Sequence, residues 1–488
     1  MQNDSASNPD MPKEEFRKFG YRMVDWIADY IENIENYPVL AQISPGDVKN
    51  KFDAAPPRTG KPFEDLFMEI EEKIMSGMTH WNHPGFMAYF NSTSSGPGIL
   101  AEFLSAAFNV NGMLWKSSPA STELEEVTLN WFRQMVGLPE QFWGIIYDGA
   151  SASTLHAIVA ARENAEGFDT RNKGLGGYPG SPEFKIYASE FAHSSVEKAA
   201  LILGFGIESV EKIGMDDEFK MKPDELWKKI KRDKENGKVP ICVVATIGTT
   251  SVTSIDPVDE IAEICRKENI WLHVDGAHGG NSAILPEKRY LMNGWEKADS
   301  IVINPQKWMF MPIDISVFFT RKPEYLRKGF SLVAEYLKTD KDNVVKNQMD
   351  YGAQLGRRFR SLKLWFVIHY FGVEGLQNII RNHFEIAENF RSYIEKSENF
   401  ELLAPVPFST VCFRANPGNV EKDKLDELNL NLMNAVNDSG QIFISHTITN
   451  GKFTLRLVVS GLRTRLKHIL DAEKLFEEKL GNLLNENG

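Results

Sequence analysis

The chain has 488 residues, of which 42% are apolar, so it can bury a large core and is predicted to contain two or three domains. Its 67 acidic and 55 basic side chains give a net charge of -12, which argues against nucleic acid as a partner and favours a small-molecule substrate. Three scattered cysteines form no CxxC pair, so we expect no disulfide framework, no metal site and a cytoplasmic location, and no apolar stretch approaches the roughly 20 residues that cross a membrane.

The first predicted element is an amphipathic helix that begins near Glu14. Its apolar residues recur at helical spacing: Phe16, Phe19, Met23, Ile27, Ile31 and Ile34. Tyr21, Trp26 and Tyr30 add more aromatic surface than one helix leaves in water, so we expect the helix to pack on a partner subunit or on its own chain. Residues 1–85 are assigned to an N-terminal helical segment.

Residues 140–320 consist of short apolar runs that alternate with helical stretches. This alternation is typical of parallel strands joined by crossover helices, and it predicts a large α/β domain over residues 86–375. The helix that Pro257 opens has one apolar face: Val258, Ile261, Ala262 and Cys265. The predicted strands are residues 144–147, 184–188, 241–246, 271–275, 300–303 and 315–320.

The C-terminal part, residues 376–488, is predicted to form a smaller α+β domain. Helical stretches are followed by a short strand at residues 409–414, and an Asn450-Gly451 turn precedes a strand at residues 453–459. The fold class is therefore α/β, with a large domain rich in parallel strands, an N-terminal helical segment and a small C-terminal domain.

Polar residues follow the predicted strands, and in open parallel sheets ligands bind at the carboxyl ends of strands. The small residues 148–154 lead into a helix, where free amides can hold a phosphate, although small residues also serve as ordinary helix caps. Asp275 ends an apolar strand, and Lys307 stands among apolar and aromatic neighbours. His193 and Thr250 are unremarkable loop residues on their own. An acid, a lysine and a phosphate cradle at one sheet edge together indicate an active site.

Several short segments are specific when they are taken as a set: Trp81-Asn82-His83-Pro84, Ala88-Tyr89-Phe90, Ser118-Pro119-Ala120, Thr122-Glu123-Leu124-Glu125, His193-Ser194-Ser195, the strand end at Asp275, Asn304-Pro305-Gln306-Lys307-Trp308 and Gly356-Arg357-Arg358-Phe359-Arg360-Ser361-Leu362-Lys363. Over most of the chain they resemble the group II decarboxylases that depend on pyridoxal 5'-phosphate (PLP), in particular the aromatic-L-amino-acid decarboxylase branch. The resemblance implies a PLP-dependent transferase of fold type I. It also implies a homodimer with the active site at the subunit interface and the N-terminal segment wrapped around the partner.

The resemblance assigns the cofactor residues position by position. Lys307 would form the internal aldimine with PLP, and its apolar surroundings would lower the pKa of the amine and keep it nucleophilic. Asp275 would pair with the pyridinium nitrogen, so that the protonated ring acts as an electron sink when CO2 leaves. His193 would stack on one face of the ring, and Ala277 would pack against the other. The residues that would hold the cofactor or its phosphate are Ala150, Ser151, Thr250 and Asn304.

The resemblance also implies a proton donor on a mobile loop. After CO2 is lost, the quinonoid intermediate must be reprotonated at Cα, and Tyr336 matches the position of the family's loop tyrosine. Residues 329–347 are rich in Lys and Asp with little apolar periodicity, which suits a lid that closes over the substrate. From composition alone, the same stretch is an ordinary exposed loop.

The expected substrate pocket departs from the family pattern at three positions. Gln306 stands where the family usually has histidine, Asn91 where it has proline, and Asn111 where it has an apolar residue. These amides could hydrogen-bond a ring hydroxyl or an indole N–H, or they could merely repack the pocket. Gly356 leaves space that would suit a bulky indole. The other residues expected to line the pocket are Trp81, Tyr89, Phe90, Ser92 and Met113.

The predicted function is decarboxylation of an aromatic L-amino acid, namely Trp, Tyr, Phe or dopa, to the arylalkylamine and CO2. One alternative is an aromatic aldehyde synthase of the same fold, which releases aldehyde, ammonia and peroxide. Related synthases tend to lack the loop tyrosine or the stacking histidine, whereas Tyr336 and His193 are both present here. A non-catalytic protein of the same fold is disfavoured by Lys307 and Asp275, and a decarboxylase for acidic amino acids is disfavoured by the aromatic residues around Tyr89.

Overall fold

The computed structural model describes residues 10–178, 180–332 and 344–486. The helices in these ranges are: α1 Lys13–Glu32, α2 Phe63–Glu69, α3 Gly96–Phe108, α4 Pro119–Met135, α5 Ala150–Asn164, α6 Thr170–Lys173, α7 Ser195–Ile202, α8 Pro223–Glu235, α9 Val258–Glu268, α10 Pro305–Trp308, α11 Pro323–Phe330, α12 Ser361–Lys396, α13 Leu425–Asp438 and α14 Leu466–Glu486. α12 is interrupted at Gly372, whose positive φ of 65° a residue with a side chain rarely adopts.

The strands in the same ranges are: β1 Trp143–Tyr147, β2 Phe184–Ser189, β3 Val210–Ile213, β4 Val239–Thr246, β5 Trp271–Asp275, β6 Ser300–Ile303, β7 Ser316–Thr320, β8 Phe400–Leu402, β9 Thr410–Ala415, β10 Ser445–Thr449 and β11 Lys452–Val458. Seven of them form one sheet in the order β1-β7-β6-β5-β4-β2-β3. The pairs of β2 with β3 and β4, of β4 with β5 and of β5 with β6 are parallel. β7 is the exception, because it runs opposite to both of its neighbours, β1 and β6.

All six strands predicted between residues 140 and 320 are present, and their ends differ from the prediction by at most two residues. The prediction works because these strands are apolar and buried on both faces of the sheet. Strand β3 was not predicted from the sequence. Its residues, Val-Glu-Lys-Ile, carry two charges and lie at the partly buried edge of the sheet, so they form no apolar run.

The smaller sheet contains four antiparallel strands in the order β10-β11-β9-β8. The two predicted C-terminal strands are confirmed as β9 and β11. Asn450 and Gly451 join β10 to β11 with φ values of 48° and 74°, the positive values that a tight hairpin turn requires. The short strands β8 and β10 were not predicted.

Alternate residues of the seven-stranded sheet face two different apolar cores. Val243 and Ala245 of β4 belong to one core, and Cys242 and Val244 belong to the other, as the period of two along a strand requires. The predicted apolar face of α9 is confirmed, because all four of its residues are buried. The sheet is therefore held from both faces, which fixes the positions of its strand ends.

The chain forms two compact units. The second unit comprises Met87–Leu430 and Ser445–Leu462 and contains both sheets. The first comprises Met1–Phe86, Asn431–Ile444 and Arg463–Gly488. The predicted division into residues 1–85, 86–375 and 376–488 remains a prediction.

The predicted N-terminal helix is confirmed as α1 in the first unit. Phe19 is buried there, whereas 57% of Phe16 and 68% of Tyr21 is exposed. Much of the aromatic surface of this helix is therefore uncovered in the single chain. Among the described residues, no helix combines the length and the apolar character that a membrane span needs.

A buried ion pair ties α4 and β1 to the segment before α12. Arg357 donates to Glu125 at 2.9 Å and to the Ile146 carbonyl at 2.6 Å, and the Ile146 N–H donates to Glu125 at 2.9 Å. Removal of one partner from such a pair leaves a buried charge without compensation, which typically costs about 3–5 kcal/mol. The backbone around Gly356 is thereby anchored to the edge of the sheet.

Candidate active site

The carboxyl ends of β4, β5 and β6 lie side by side in the second unit. Thr246 at the end of β4 pairs with Asp275 at the end of β5, and Asp275 pairs with Val302 in β6. Just beyond the strands, the Asn304 N–H donates to the Ala277 carbonyl at 3.0 Å. Polar residues predicted from separate strand ends are thus brought to one edge of the sheet.

Lys307 lies in α10, a four-residue helix that begins almost directly after β6. Its Nζ atom is 5.1 Å from the centroid of the Phe90 ring. Burial lowers the pKa of the Lys307 amine, and the nearby Asp275 carboxylate opposes that shift. Because burial is the larger effect, the amine gives up its proton more readily than an exposed lysine does, as a nucleophilic amine must.

Asp275 and His193 interact electrostatically with Lys307. The Asp275 carboxylate is buried, and its Oδ1 accepts a hydrogen bond from the Ala277 N–H at 3.0 Å. Burial lowers the pKa of His193 and Lys307 lowers it further, while Asp275 raises it, so the imidazole is neutral at pH 7. His193 Nδ1 accepts a hydrogen bond from the Ser195 N–H at 3.1 Å, which assigns the ring proton to Nε2.

The amino end of α5 has the features of an anion site. No side chain caps this 15-residue helix, so the N–H groups of Ala150 and Ser151 have no partner within it. Gly149 precedes them in an extended conformation, and a Cβ atom added there would meet nothing within 4 Å. The free amides and the positive end of the helix dipole favour a phosphate group at this position.

Asn304 links the lysine helix to the start of α5. Its buried side-chain Oδ1 accepts a hydrogen bond from Ser316 Oγ at 2.7 Å, and that hydroxyl lies 2.9 Å from Ser153 Oγ in the first turn of α5. The Asn304 carbonyl accepts from the Lys307 N–H at 3.0 Å. The phosphate cradle and the lysine are therefore held in a fixed relation.

Thr250 is exposed in the loop after β4, and a buried arginine holds that loop. Arg456 of β11 donates to the carbonyls of Thr250 and Ser251, both at 2.7 Å, and to the Ala88 carbonyl at 3.2 Å. The guanidinium group thus connects the loop to the segment that carries Phe90.

The aromatic segment after Ala88 shows different degrees of burial. Tyr89 is 48% exposed, Phe90 is buried and Ser92 is half-buried, while the Asn91 N–H donates to Ser460 Oγ at 3.2 Å. Phe90 is the residue of this segment that lies against Lys307. It supplies a flat apolar surface beside the amine.

Gln306 has a structural partner that the sequence did not indicate. Its side-chain carbonyl accepts a hydrogen bond from the Ile315 N–H at 2.6 Å, and only 8% of the residue is exposed. This bond ties α10 to the start of β7. The side chain is therefore fixed by the backbone, whatever it contacts on the substrate side.

Three of the remaining predicted pocket residues, Asn111, Met113 and Gly356, lie close together. Asn111 Oδ1 accepts from the Arg357 N–H at 2.9 Å, its Nδ2 lies 3.6 Å from Met113 Sδ, and a Cβ atom at Gly356 would lie 3.7 Å from that Nδ2. Asn111 and Gly356 are both exposed. Trp81 belongs to the first unit, where it stacks on Phe86 with ring centroids 4.3 Å apart.

Tyr336, the predicted proton donor, lies outside the described residues. Only the ends of the predicted lid, residues 329–332 and 344–347, fall within them. The assignment of Tyr336 therefore stays a prediction from the sequence.

Three residues of this region were not assigned a role from the sequence. His278 stacks on Phe90, Trp308 stacks on His278, and Arg456 holds the Thr250 loop. The signals were weak but present. His278 stands three positions after Asp275, Trp308 directly follows Lys307, and Arg456 interrupts an apolar strand.

A family model described as the pyridoxal-dependent decarboxylase conserved domain matches residues 45–416. The chain belongs to the pyridoxal-dependent decarboxylase family. This result confirms the resemblance to PLP-dependent decarboxylases, and with it the predicted PLP cofactor and α/β fold class.

Relatives and solved structures match over nearly the whole chain. Tryptophan decarboxylase 2 of Oryza sativa subsp. japonica is 38% identical over 486 residues, which cover 98% of this chain and 96% of the relative. A phenylacetaldehyde synthase of Arabidopsis thaliana is 36% identical, with 98% of each chain covered. The crystal structure of Oryza sativa TDC with PLP and tryptamine has a TM-score of 0.93 at 32% identity, covering 97% of this chain and 99% of that one.

The residues at the sheet edge fit the family's cofactor. A buried amine with a lowered pKa suits a covalent link to the PLP aldehyde, a buried carboxylate suits its ring nitrogen, and an uncapped helix end suits its phosphate. These three groups come from α10, β5 and α5. The hydrogen bonds of Asn304 and Ala277 hold the three elements together.

We expect Lys307→Ala to lose the visible absorbance of lysine-bound PLP, because the variant lacks the amine that forms the covalent link. After borohydride reduction, mass spectrometry should find PLP on the peptide containing residue 307 in the wild type and no PLP on the corresponding peptide of the variant. Lys424→Ala, which removes an exposed lysine, is the matched control and should retain the label. PLP attached mainly to a different lysine in the wild type would disprove the assignment.

Proposed function

We propose that this chain removes the α-carboxylate of an aromatic L-amino acid and releases the arylalkylamine and CO2. The observation that carries the proposal is the buried Lys307 amine with the Phe90 ring 5.1 Å away and the Asp275 carboxylate nearby. An amine of this kind suits PLP, and an aromatic wall beside it suits an aromatic side chain. Decarboxylation itself is the chemistry of the family.

Each residue at the sheet edge has a definite task in this proposal. Lys307 would hold PLP through a covalent link from its side-chain nitrogen to the aldehyde carbon, and Asp275 would keep the pyridine nitrogen protonated. Bound PLP supplies an electron sink for the pair of electrons left on Cα when CO2 departs. Ala150 and Ser151 bind the phosphate with their amides.

The remaining cofactor residues position the ring. Thr250 and Asn304 complete the set that holds the cofactor or its phosphate. His193 would stack on one face of the ring as a neutral imidazole, and Ala277 would pack against the other face. Because His193 Nδ1 accepts the Ser195 N–H, its Nε2 is the nitrogen that can donate to substrate or water.

Most of the predicted pocket residues fall into two groups in this proposal. Phe90, Tyr89, Asn91, Ser92 and Gln306 line the site from the segments next to Lys307. The second group is proposed to face the substrate bound to the partner subunit: Asn111, Met113 and Gly356. Trp81, which belongs to the first unit, is proposed as a substrate-binding residue separately from both groups. Substrates with an aromatic ring, such as Trp, Tyr, Phe and dopa, suit such a lining better than acidic amino acids do. The side-chain carboxylate of an acidic substrate would need a cation, and the Arg456 guanidinium is already engaged by three main-chain carbonyls.

An aldehyde synthase is the second candidate, since a phenylacetaldehyde synthase is 36% identical to this chain. We favour amine formation because the chain contains both Tyr336, which would return a proton to Cα, and His193. In the synthase reaction, the amino acid, O2 and water give the aldehyde, CO2, ammonia and hydrogen peroxide. O2 takes two electrons from the substrate carbon that carries the amino group, and water supplies the aldehyde oxygen.

We expect the PLP-loaded wild type, incubated aerobically with Trp, Tyr, Phe, dopa, Glu and His, to convert one or more aromatic substrates to amine without peroxide. Tyr336→Phe should shift at least about half of the product to aldehyde, because the ring loses its hydroxyl proton while CO2 loss continues. Mass spectrometry of the products and a coupled peroxide assay measure both.

Tyr290→Phe is the control, because it removes the hydroxyl of an exposed tyrosine far along the chain from the loop and should leave the product ratio unchanged. Aldehyde from the wild type would establish the synthase instead. Absence of any product would support a non-catalytic protein, and an unchanged amine yield in Tyr336→Phe would place the proton donor elsewhere.

We also infer that the protein is a homodimer. The support is the apolar face of α3, on which Leu100, Phe103 and Phe108 are 51%, 50% and 55% exposed. A cluster of large apolar side chains in water is typical of an interface. Asn111 follows this helix closely, so a second subunit on α3 would also cover part of the second group of pocket residues.

We expect Leu100→Glu combined with Phe103→Glu to weaken the dimer by at least roughly a hundredfold, because two carboxylates would lose their hydration at the interface. Sedimentation velocity should then show the monomer mass, and the activity should fall with it. Ile202→Glu, at a position that is 70% exposed on α7, is the control and should remain dimeric. A wild type that sediments as a monomer would contradict the inference.

A cytoplasmic location is a further part of the proposal. It is supported by Cys242, Cys265 and Cys412, which are all buried and unpaired as thiols. Reduced cysteines are typical of proteins in a reducing compartment.

A further inference from the structure

His278 is a buried imidazole at the carboxyl edge of the sheet that has no role in the site described above. It follows β5 three residues after Asp275, and only 1% of it is exposed. Neither of its ring nitrogens has a hydrogen-bond partner among the described residues. A buried polar group without a hydrogen-bond partner destabilises the folded protein, so its presence calls for an explanation.

Both faces of the His278 ring are covered by other aromatic rings. Phe90 lies on one face with centroids 3.8 Å apart and planes 4° apart, and Trp308 is parallel at 4.7 Å and 5°. The ring can therefore interact with a ligand only through its edge, and that edge carries the two nitrogens.

A second histidine of the same stack shows what a purely structural role looks like. His383 is parallel to Trp308, accepts its Nε1–H on Nδ1 at 2.9 Å, and reaches the Gly461 carbonyl with Nε2 at 3.1 Å. Both of its nitrogens are used by the protein. His278 differs, because the described residues supply a hydrogen-bond partner to neither of its ring nitrogens.

The position of His278 connects it to the reacting centre. Phe90, the ring that covers one face of His278, is also the ring that lies 5.1 Å from Lys307 Nζ. Burial and the charge of Lys307 lower the pKa of His278 well below its ordinary value. The imidazole is therefore neutral at pH 7, with one nitrogen that accepts a hydrogen bond and one that donates.

We propose that His278 is a specificity-determining residue, whose unprotonated ring nitrogen accepts a hydrogen bond from a donor on the aromatic ring of the substrate. The two donors of this kind are an indole N–H and a phenol O–H. This inference rests on the proposed function, because it presupposes an aromatic amino acid bound at Lys307. A site built to pair with a polar group discriminates strongly against analogues that lack it.

The experiment compares two substrate pairs that differ in the donor. L-Tyr and L-Phe differ by the phenol hydroxyl, and L-Trp and 3-benzothienyl-L-alanine differ by sulfur in place of the indole N–H. In the wild type, we expect kcat/KM to favour the donor-bearing member of at least one pair by about tenfold or more. The pair that responds identifies whether the donor is a phenol or an indole.

His278→Phe retains an aromatic ring between Phe90 and Trp308 and removes the nitrogens. This variant should lower the preference in kcat/KM for the donor-bearing substrate by about tenfold. Loss of stacking alone would change kcat/KM for both members of a pair alike and leave their ratio unchanged. His278→Gln keeps an acceptor and should retain part of the preference. His446→Phe is the control, because this exposed histidine stacks on Phe453 and its loss should leave both ratios as in the wild type.

Equal kcat/KM within both pairs in the wild type would overturn the inference, and this outcome does not depend on whether a variant folds. Unchanged ratios in His278→Phe would overturn it as well. In both cases, continued amine formation shows that the proposed function stands. Absence of amine from every aromatic substrate in the wild type would instead refute the proposed function, and the inference with it.

Discussion

The burial of the Lys307 amine is the constraint on which the rest of this site depends. An amine in water is protonated at pH 7, and here burial lowers the pKa of the Lys307 amine, so that it gives up its proton more readily than an exposed lysine does. The protein provides that burial with Phe90 beside the amine and with Trp308, which directly follows it and is packed in the core. The Asp275 carboxylate at the end of β5 acts in the opposite direction and raises the pKa of the amine. Both faces of the sheet pack against apolar cores, which allows the amine at its carboxyl edge to be buried.

The sequence predicted the strands of this sheet well, because they are short apolar runs that end in polar residues. It could not predict the direction of β7, since direction depends on how a connection returns to the sheet rather than on the strand's own residues. It also missed β3, an edge strand whose charges lie where only one neighbour pairs with it. A local sequence pattern predicts which residues are buried, whereas the order and direction of the strands depend on contacts between segments far apart in the chain.

The same distinction applies to the site. Lys307, Asp275 and His193 were predicted because each follows a recognisable strand and matches a family motif, and the structure brings them within electrostatic reach of one another. The part played by His278 depends on Phe90, nearly two hundred positions earlier, and that of Arg456 depends on Ala88 and Thr250. A local sequence pattern cannot predict partners that lie so far apart in the chain. The role of Tyr336 remains a prediction from the sequence.

We propose that PLP binds at this sheet edge, with its ring nitrogen against Asp275 and its aldehyde carbon on Lys307. This proposal is tested most directly by 15N NMR of the protein loaded with ring-labelled PLP, in the wild type and in Asp275→Asn. We predict a protonated ring nitrogen in the wild type and an unprotonated one in Asp275→Asn, because an amide cannot stabilise the pyridinium charge as a carboxylate does. An unprotonated nitrogen in the wild type, or the same shift in both proteins, would show that Asp275 does not pair with the ring nitrogen.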